Sequence, residues 1–326
     1  MTTPMTPKGA RHLGKCRAPQ AHSSERIKLS LSTGCLYIYP LKSIFAIAKG
    51  TGFDGLELVI SPELTLRGCA YVKSLIRRYD LPVFSMHPPL FPYPGWDDLP
   101  SLIPKATKLA LEVGCPVLVV HPPKTKSLDS VYGQRYVRAV LESRETLRDT
   151  TTRISIENPG IFRQRDLSFA LHRPTALRAF VDRHDLPVTL DTAHGGSADF
   201  PLLDLLSLME DRLINVHFSD VGYPPKLLDR PFLDTYFKHH QLPGDGWLPL
   251  GPFLHQLMDL GYTGPLTLEL SPVALRIWWP PAVRRRLRGC VAWIRERTIS
   301  HELTRNTNKT SLKKAQSDHK GTKTPS

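Results

Sequence analysis

Six residues with imidazole or carboxylate side chains recur along the chain, each after a short run of apolar and β-branched residues. Their successive separations are 34, 36, 34, 26 and 52 positions, and the six are His87, His121, Glu157, Asp191, His217 and Glu269. Such ligands without thiolates favour zinc, manganese, iron or cobalt over an all-oxygen calcium site. Taken singly, each residue has a structural explanation, such as a helix cap for Asp191. If the six converge, burying three carboxylates and three imidazoles together is costly without a cation, so the set predicts a metal site.

Two of the histidines stand in similar sequences, MHPPL and VHPPK, which contain His87 and His121. The first proline after each histidine removes a backbone donor and favours an extended conformation before it. Each strand should therefore stop with an imidazole at its tip. Turn formation alone is the alternative explanation, but its repetition on neighbouring strands favours ligation.

The elements that must position these residues alternate between short β-branched segments and amphipathic segments. The predicted strands are residues 27–33, 54–60, 81–87, 115–121, 153–158, 186–192, 213–220 and 265–270. Eight βα units in this length predict an α/β fold, a (β/α)8 TIM barrel, whose active site lies at the carboxyl ends of the strands. All six residues would meet there. An open, doubly wound sheet is the alternative, because a sequence pattern does not show closure.

The net charge of +13 is concentrated at the two ends of the chain. Residues 1–28 carry six Lys or Arg against one acidic residue, residues 284–326 carry twelve against three, and the part between them has a net charge of −1. We expect disordered basic tails at 1–26 and 301–326, because these polar segments are poor in apolar residues, on either side of a barrel at 27–300. The near-neutral barrel makes duplex DNA a less favoured partner.

The N-terminal segment lacks the apolar stretch of a secretory signal, and no window approaches the roughly 18 apolar residues of a membrane span. The five cysteines form no C-x-x-C pair, which is typical of reduced core thiols. The sequence therefore predicts a cytoplasmic protein with no membrane partner. It carries no prediction of the oligomeric state.

Three further features have two interpretations each. Glu57 is either a substrate contact or a helix-capping or buried-pair residue, and Asp220 either orients His217 or caps the next turn. The aromatic loop FPYPGW at 91–96 is either a lid or stacking platform or an ordinary packed loop. The segment 221–249 is long for a βα connection, which is typical of a functional loop.

Eight motifs in order along residues 28–272 resemble those of the xylose isomerase-like TIM-barrel superfamily. They are GFDGLEL, MHPP, VVHPP, ISIEN, LDTAH, NVHFSD, HQLPGDGWLP and GYTGPLTLEL. The superfamily contains sugar and sugar phosphate isomerases and epimerases as well as the type IV abasic-site endonucleases, also called AP endonuclease family 2. The resemblance is specific for the superfamily and much less specific for the reaction.

By resemblance to the isomerase and epimerase branch, one divalent ion is bound by Glu157, Asp191, His217 and Glu269. The two glutamates then exchange a proton on opposite faces of a carbon next to a carbonyl, and His194 contacts the substrate. That branch commonly has an arginine six positions after the metal-binding histidine. This chain has Tyr223 there, which argues against recognition of a simple sugar.

By resemblance to the endonuclease branch, one zinc is held by His87, His121 and Glu157. A second zinc is held by the four ligands of the isomerase branch, Glu157, Asp191, His217 and Glu269. His194 would join a third zinc with an aspartate and a histidine two residues apart. His240 matches that histidine, but Lys238 stands at the aspartate position. We therefore expect His194 and His240 to bind substrate and expect one or two ions.

The leading hypothesis is a metal-dependent isomerase or epimerase with catalytic Glu157 and Glu269, acting on a small polyhydroxylated or phosphorylated molecule. Manganese or zinc is the expected cofactor, with cobalt, iron and magnesium as alternatives. A metal-dependent phosphodiesterase or other hydrolase is the second hypothesis, motivated by His87 and His121. The third is a barrel that binds without catalysis.

Overall fold

A computed structural model describes residues 26–197, 200–230 and 233–320 of the chain. The expected N-terminal tail, 1–26, lies outside these residues except for Arg26. Residues 321–326 lie outside them as well.

Eight parallel strands form a closed barrel in sequence order. Closure is made by β1 and β8, where Leu29 is paired with Leu266. The TIM barrel is therefore confirmed and the open-sheet alternative is wrong. The strands are β1 Lys28–Ser32, β2 Gly55–Val59, β3 Val83–His87, β4 Val117–Val120, β5 Arg153–Glu157, β6 Val188–Asp191, β7 Leu213–Phe218 and β8 Pro265–Leu268.

Side chains alternate between the barrel interior and the layer of helices, as the period of two in a strand requires. The outward residues are apolar and most of them are fully buried, among them Met86, Ile156 and Leu190. The inward position two residues before a predicted ligand is small and polar on five strands, at Ser85, Ser155, Thr189, Asn215 and Thr267. Ser155 and Thr189 hydrogen-bond across neighbouring strands at 2.8 Å. A buried polar layer therefore lies directly beneath the predicted ligands.

The helices surround the barrel and pack on the apolar outer faces of the strands. Several helices have a proline in their first turn and are followed by a residue with a left-handed backbone. Helix α3 is an example, because Gly114 follows it in this conformation. Both features are usual at helix termini. The helices are α1 Leu41–Thr51, α2 Pro62–Tyr79, α3 Leu99–Val113, α4 Val131–Thr146, α5 Pro174–His184, α6 Thr192–Ser197, α7 Leu202–Met209, α8 Asp234–Phe237, α9 Leu250–Asp259, α10 Pro272–Leu275 and α11 Pro280–Lys320.

Asp220 organises the long segment that follows β7. Its carboxylate accepts hydrogen bonds from the backbone amides of Val221, Gly244, Gly246 and Leu248. A Cβ at Gly246 would lie 2.4 Å from a carboxylate oxygen of Asp220, so this close approach requires glycine. Of its two interpretations, the capping role of Asp220 is the one that these contacts support.

The last helix, α11, extends past residue 300, where we expected the barrel to end. It continues to Lys320 through most of the segment expected to be a disordered tail. Its first part is anchored by the buried side chains of Val283, Leu287 and Ile294, and extending an existing helix costs much less than starting one. His301 also contacts Asp259 of α9 at 3.0 Å, which holds the next turn.

None of the helices within the described residues combines the length and apolar character that a membrane crossing requires. The four cysteines that the structure describes are buried and unpaired, at positions 35, 69, 115 and 290.

Candidate metal centre

The carboxyl-terminal rim of the barrel brings the six predicted ligands together. His87, Glu157 and Asp191 are the last residues of β3, β5 and β6, and His217 is the penultimate residue of β7. His121 and Glu269 stand one residue beyond β4 and β8. Because every strand points the same way, these side chains share one end of the barrel.

Four of them form a compact group in which the ligand atoms all lie within 4.8 Å of one another: Glu157, Asp191, His217 and Glu269. His217 Nδ1 is 2.8 Å from Glu269 Oε2, 3.4 Å from Glu157 Oε1 and 3.8 Å from Asp191 Oδ2. We call this group the quartet.

The facing atoms of the quartet are buried, and apart from the ion-pair contacts among the rim side chains none has a hydrogen-bond partner among the described residues. They are Glu157 Oε1, Asp191 Oδ2, His217 Nδ1 and Glu269 Oε2, and the other oxygen of Glu157, Oε2, has no such partner either. Buried polar atoms are normally hydrogen-bonded, because a buried atom without a partner costs about 1–3 kcal/mol, and a charged one costs more. Carboxylate and imidazole lone pairs that converge in this way fit a divalent cation.

His87, His121 and Glu157 form a second group that could hold a metal ion. The Nε2 atoms of the two histidines are 2.8 Å apart, and they lie 3.7 and 3.6 Å from Glu157 Oε2. His87 Nδ1 donates to the carbonyl of Pro88 at 2.7 Å, which leaves the Nε2 lone pair for a ligand. Glu157 thus faces the quartet with one oxygen and the histidine pair with the other.

Asp191 combines the two roles that its sequence position allows. One oxygen, Oδ1, accepts from the backbone amide of His194 at 2.7 Å and caps the short helix α6. The other, Oδ2, faces the quartet. The capping interpretation and the ligand interpretation are therefore compatible, because each uses a different oxygen.

His194 and His240 lie beside the quartet and, with Asp191, make up a third group of potential ligands. His194 Nδ1 lies 3.1 Å from Glu157 Oε1. His240 has a left-handed backbone, with φ of 57°, which is uncommon for a residue other than glycine, and its Nδ1 is 3.2 Å from Ser219 Oγ. Both residues are placed where they could contact a ligand at the metal centre.

Glu57 is the partner of His217, a role that the sequence left among several alternatives. Its Oε2 accepts from His217 Nε2 at 2.8 Å and from Ser85 Oγ at 2.9 Å, and both Glu57 and His217 are fully buried. This bond fixes the tautomer of His217 so that Nδ1 is directed at the quartet. A lone glutamate between Leu56 and Leu58 in an apolar strand is the sequence signal for such a role.

The charged groups of this rim shift one another's pKa values. Burial alone would lower the pKa of His217, but the surrounding glutamates raise it well above its usual value. Burial also opposes the shift of His194, yet Asp191 and then Glu157 raise its pKa to about 10. Burial would raise the pKa of Glu157, whereas His121 and His217 hold it well below the usual range. Protons on His194 and His217 therefore balance the carboxylates in the absence of a cation.

His121 behaves differently from those two histidines. Burial is the main cause that lowers its pKa to about 4, so the imidazole is neutral at pH 7. A neutral imidazole is the form that binds a metal, and His121 would release no proton if it bound one.

The structure divides the aromatic loop at 91–96 between two environments. Trp96 is buried in the core, whereas Phe91 is 53% exposed and makes an edge contact with Tyr37 at a centroid distance of 5.7 Å. Part of the loop is therefore packed, and part lines a cavity beside the rim.

The family model described as "Xylose isomerase-like TIM barrel" matches residues 45–296. A relative from Mycobacterium tuberculosis (strain ATCC 25618 / H37Rv), "Uncharacterized protein Rv0498", is 27% identical over 271 residues, which cover 77% of this chain and 91% of the relative.

Two solved structures show the same fold at lower identity. The 3-keto-D-glucoside 4-epimerase YcjR from E. coli is 20% identical, with a TM-score of 0.62 and coverage of 83% of this chain and 100% of that one. The D-allulose 3-epimerase from Methylomonas sp., solved in complex with D-allulose, is 17% identical, with a TM-score of 0.61 and coverage of 83% and 97%. The family model spans most of the barrel and agrees with the motifs along the strands, so this chain belongs to the xylose isomerase-like TIM barrel family.

Proposed function

We propose that this protein is a metal-dependent isomerase or epimerase of small polyhydroxylated carbonyl compounds. The observation that carries the proposal is the quartet, in which two glutamates share one cation-binding position with Asp191 and His217. A divalent ion bound there supplies stabilisation of negative charge that develops on a substrate carbonyl oxygen.

Glu157 and Glu269 are the proposed catalytic residues. The neighbouring histidines oppose the effect of burial and keep the pKa of each glutamate below its usual range, so both are ionised at neutral pH. An ionised carboxylate can remove the weakly acidic proton from a carbon next to a carbonyl. One glutamate takes this proton and becomes a carboxylic acid, while the other first gains a proton from solvent water and then gives it to the opposite face of the carbon. The first glutamate releases its proton to solvent at the end, so both carboxylates return to their ionised state.

The side chain of Glu269 is 19% exposed, whereas that of Glu157 is fully buried. Substrate therefore approaches from the side of Glu269. His194 and His240 are proposed to bind substrate hydroxyl groups there.

The proposed cofactor is manganese or zinc, with cobalt, iron or magnesium as alternatives, at one or two ions per chain. The mixed imidazole and carboxylate ligands are the reason for this preference. The proposed location is the cytoplasm, which agrees with the four described cysteines being unpaired. Sugars are the proposed substrate class, by analogy with the D-allulose bound to the Methylomonas enzyme.

The test is exchange of substrate hydrogen with solvent. Ketohexoses and 3-keto-glucosides would be incubated with manganese- or zinc-loaded protein in D2O, and proton NMR would follow deuterium uptake next to the carbonyl. We expect Glu269→Gln to reduce the exchange rate by at least about 100-fold, within the usual effect of losing a general acid or base. Glu145→Gln, at a residue on the outer surface of α4, is the control and should leave it unchanged. Full exchange by Glu269→Gln would contradict the assignment.

A metal-dependent phosphodiesterase is a second candidate function, and the group of His87, His121 and Glu157 favours it. Two ions sharing Glu157 would match the arrangement that phosphate ester hydrolysis uses. The test is incubation with an abasic duplex and with bis(4-nitrophenyl) phosphate in the presence of zinc or manganese. Cleavage that disappears in His121→Ala would support this candidate, and no cleavage of either substrate would contradict it.

A further inference from the structure

A cavity of about 440 Å³ lies beside the metal centre, on the same end of the barrel. Its walls come from the carboxyl ends of β1 and β2, the first turns of α1 and α2, and the loop that follows β3. This volume is within the range of ligand sites for small molecules, about 300–1,000 Å³.

The surface of this cavity is largely hydrocarbon and aromatic. Its residues include Ile44, Val59, Leu90 and, at the mouth, the half-exposed rings of Tyr37 and Phe91. These side chains would bury an apolar ring or a branched alkyl group, and exposed aromatic rings at a mouth favour stacking.

Several polar groups of the lining are already engaged within the protein. Glu63 accepts from the backbone amide of Leu41 at 2.8 Å, the Tyr39 hydroxyl donates to a backbone carbonyl at 2.6 Å, and the Tyr93 hydroxyl is 3.0 Å from Thr65 Oγ1. The lining contains no lysine or arginine. A phosphate or other anion would therefore find no cation there and would face the carboxylate of Glu63, whereas an apolar group would be buried against hydrocarbon side chains.

The cavity and the metal centre share backbone on the side of β3. Val59, which lines the cavity, is paired with the ligand His87, and the amide of Ile60 donates to the carbonyl of His87 at 2.9 Å. Pro89, two residues after His87, also lines the cavity. The HPP turn is thus a common wall of both sites.

A second connection runs through β1 and β8. Gly34 lines the cavity, and the next residue, Cys35, uses its thiol to contact the carbonyl of Leu268 at 3.3 Å and the amide of Leu270 at 3.0 Å. These two residues flank Glu269. The cavity and the quartet are therefore neighbouring sites, with the turns that carry His87 and Glu269 between them.

We propose that the cavity binds an uncharged aromatic or branched alkyl substituent of the substrate, whose polyhydroxylated part reaches the metal centre. This inference rests on the proposed function and narrows its substrate class to sugars that carry an apolar group. It also accounts for the absence of an arginine at Tyr223, because a substrate held by its apolar group does not need that contact to a simple sugar.

The test compares two ligands that differ only in the apolar group, phenyl β-D-glucopyranoside and methyl β-D-glucopyranoside. Binding to the manganese-loaded protein would be measured by calorimetry, and we expect the phenyl compound to bind at least about tenfold more tightly. The double variant Tyr37→Ala/Phe91→Ala should reduce this preference to less than about threefold. Both rings are about half exposed, so the fold should survive, which circular dichroism would verify. Trp247→Ala, at a similarly exposed ring on a different groove, should keep the full preference.

Phenol alone is the second probe, observed by saturation-transfer NMR, because its binding does not depend on the sugar or on the metal. We expect contact with the native protein and with Glu157→Gln, and loss of contact in the double variant. Equal affinity of the two glucosides, or no phenol contact that depends on Tyr37 and Phe91, would overturn the cavity proposal. If the native protein bound phenol but bound no metal, the proposed function would be contradicted and the cavity proposal would remain supported.

Discussion

The two ends of the barrel differ in how their carboxylates are neutralised. At the amino end, Asp54 is neutralised by the protein itself: Oδ1 is 2.6 Å from Arg26, and Oδ2 accepts from the amide of Leu29 at 2.8 Å and from Arg295. At the carboxyl end, both oxygens of Glu157 are buried and lack a hydrogen-bond partner among the described residues. The first arrangement stabilises a fold, and the second is suited to binding a cation.

The largest expected effect comes from removing the negative charge at Glu157. We predict that Glu157→Gln weakens manganese binding by more than about 100-fold, because loss of a direct ligand should exceed the 10–100-fold cost of losing an outer partner. Isothermal titration of the metal-free protein would measure it. The comparison fails if this variant binds manganese as tightly as the native protein.

A smaller effect is expected from Glu57, which contacts His217 and not the cation position. We predict that Glu57→Gln weakens metal binding by about 10–100-fold, because the hydrogen bond that orients His217 loses its charge. Ser85→Ala removes the other hydrogen bond to the same carboxylate oxygen and serves as the matched control. An unchanged affinity in Glu57→Gln would show that His217 does not depend on this partner.

The protonated histidines give the metal-free protein a characteristic dependence on pH. The pKa of His194 is raised to about 10, so its contribution to folding is complete below about 6.5, its unfolded value, and decreases as the pH rises towards 10. We predict that the melting temperature of protein in EDTA falls between pH 7 and 9. The melting temperature of the manganese-loaded protein should fall less over the same range, because the cation replaces the protons. Parallel melting curves with and without manganese would contradict this prediction.

The smallest effect is expected at the amino end of the barrel. Asp54→Asn should lower the free energy of unfolding by about 1–2 kcal/mol, because it weakens charge-assisted hydrogen bonds that are partly exposed to solvent. Urea denaturation would measure the change. Metal affinity should remain equal to that of the native protein, and a loss of metal binding would show that the two ends of the barrel are not independent.

Much of the rim could be predicted from the sequence, because its ligands follow directly from local patterns. His87 and Asp191 end β-branched segments, and parallel strands bring such ends together whatever the details of packing. The pairing of Glu57 with His217 could not be predicted in this way, since 160 residues separate them and only closure of the barrel brings β2 and β7 face to face across its interior.

Two other features of the structure do not follow from local sequence patterns, for physical reasons. The polar residues two positions before the predicted ligands, such as Thr189, form one buried layer only because the strands close into a barrel. The sequence does not show that closure, so the layer could not be predicted from it. The extension of α11 beyond residue 300 depends on the packing of residues such as Leu287, which starts the helix that the polar sequence then continues. The composition of the polar segment does not include the packed helix that precedes it, so it does not indicate that the helix continues.

The most direct test of the metal centre is the position and number of ions in the reconstituted protein. Crystals grown with manganese, and separately with zinc, would be measured by anomalous scattering at the absorption edge of each metal. We predict an ion bound by Glu157, Asp191, His217 and Glu269, with any second ion at His87 and His121. A fully folded protein that binds no ion at the quartet under either condition would contradict the assignment.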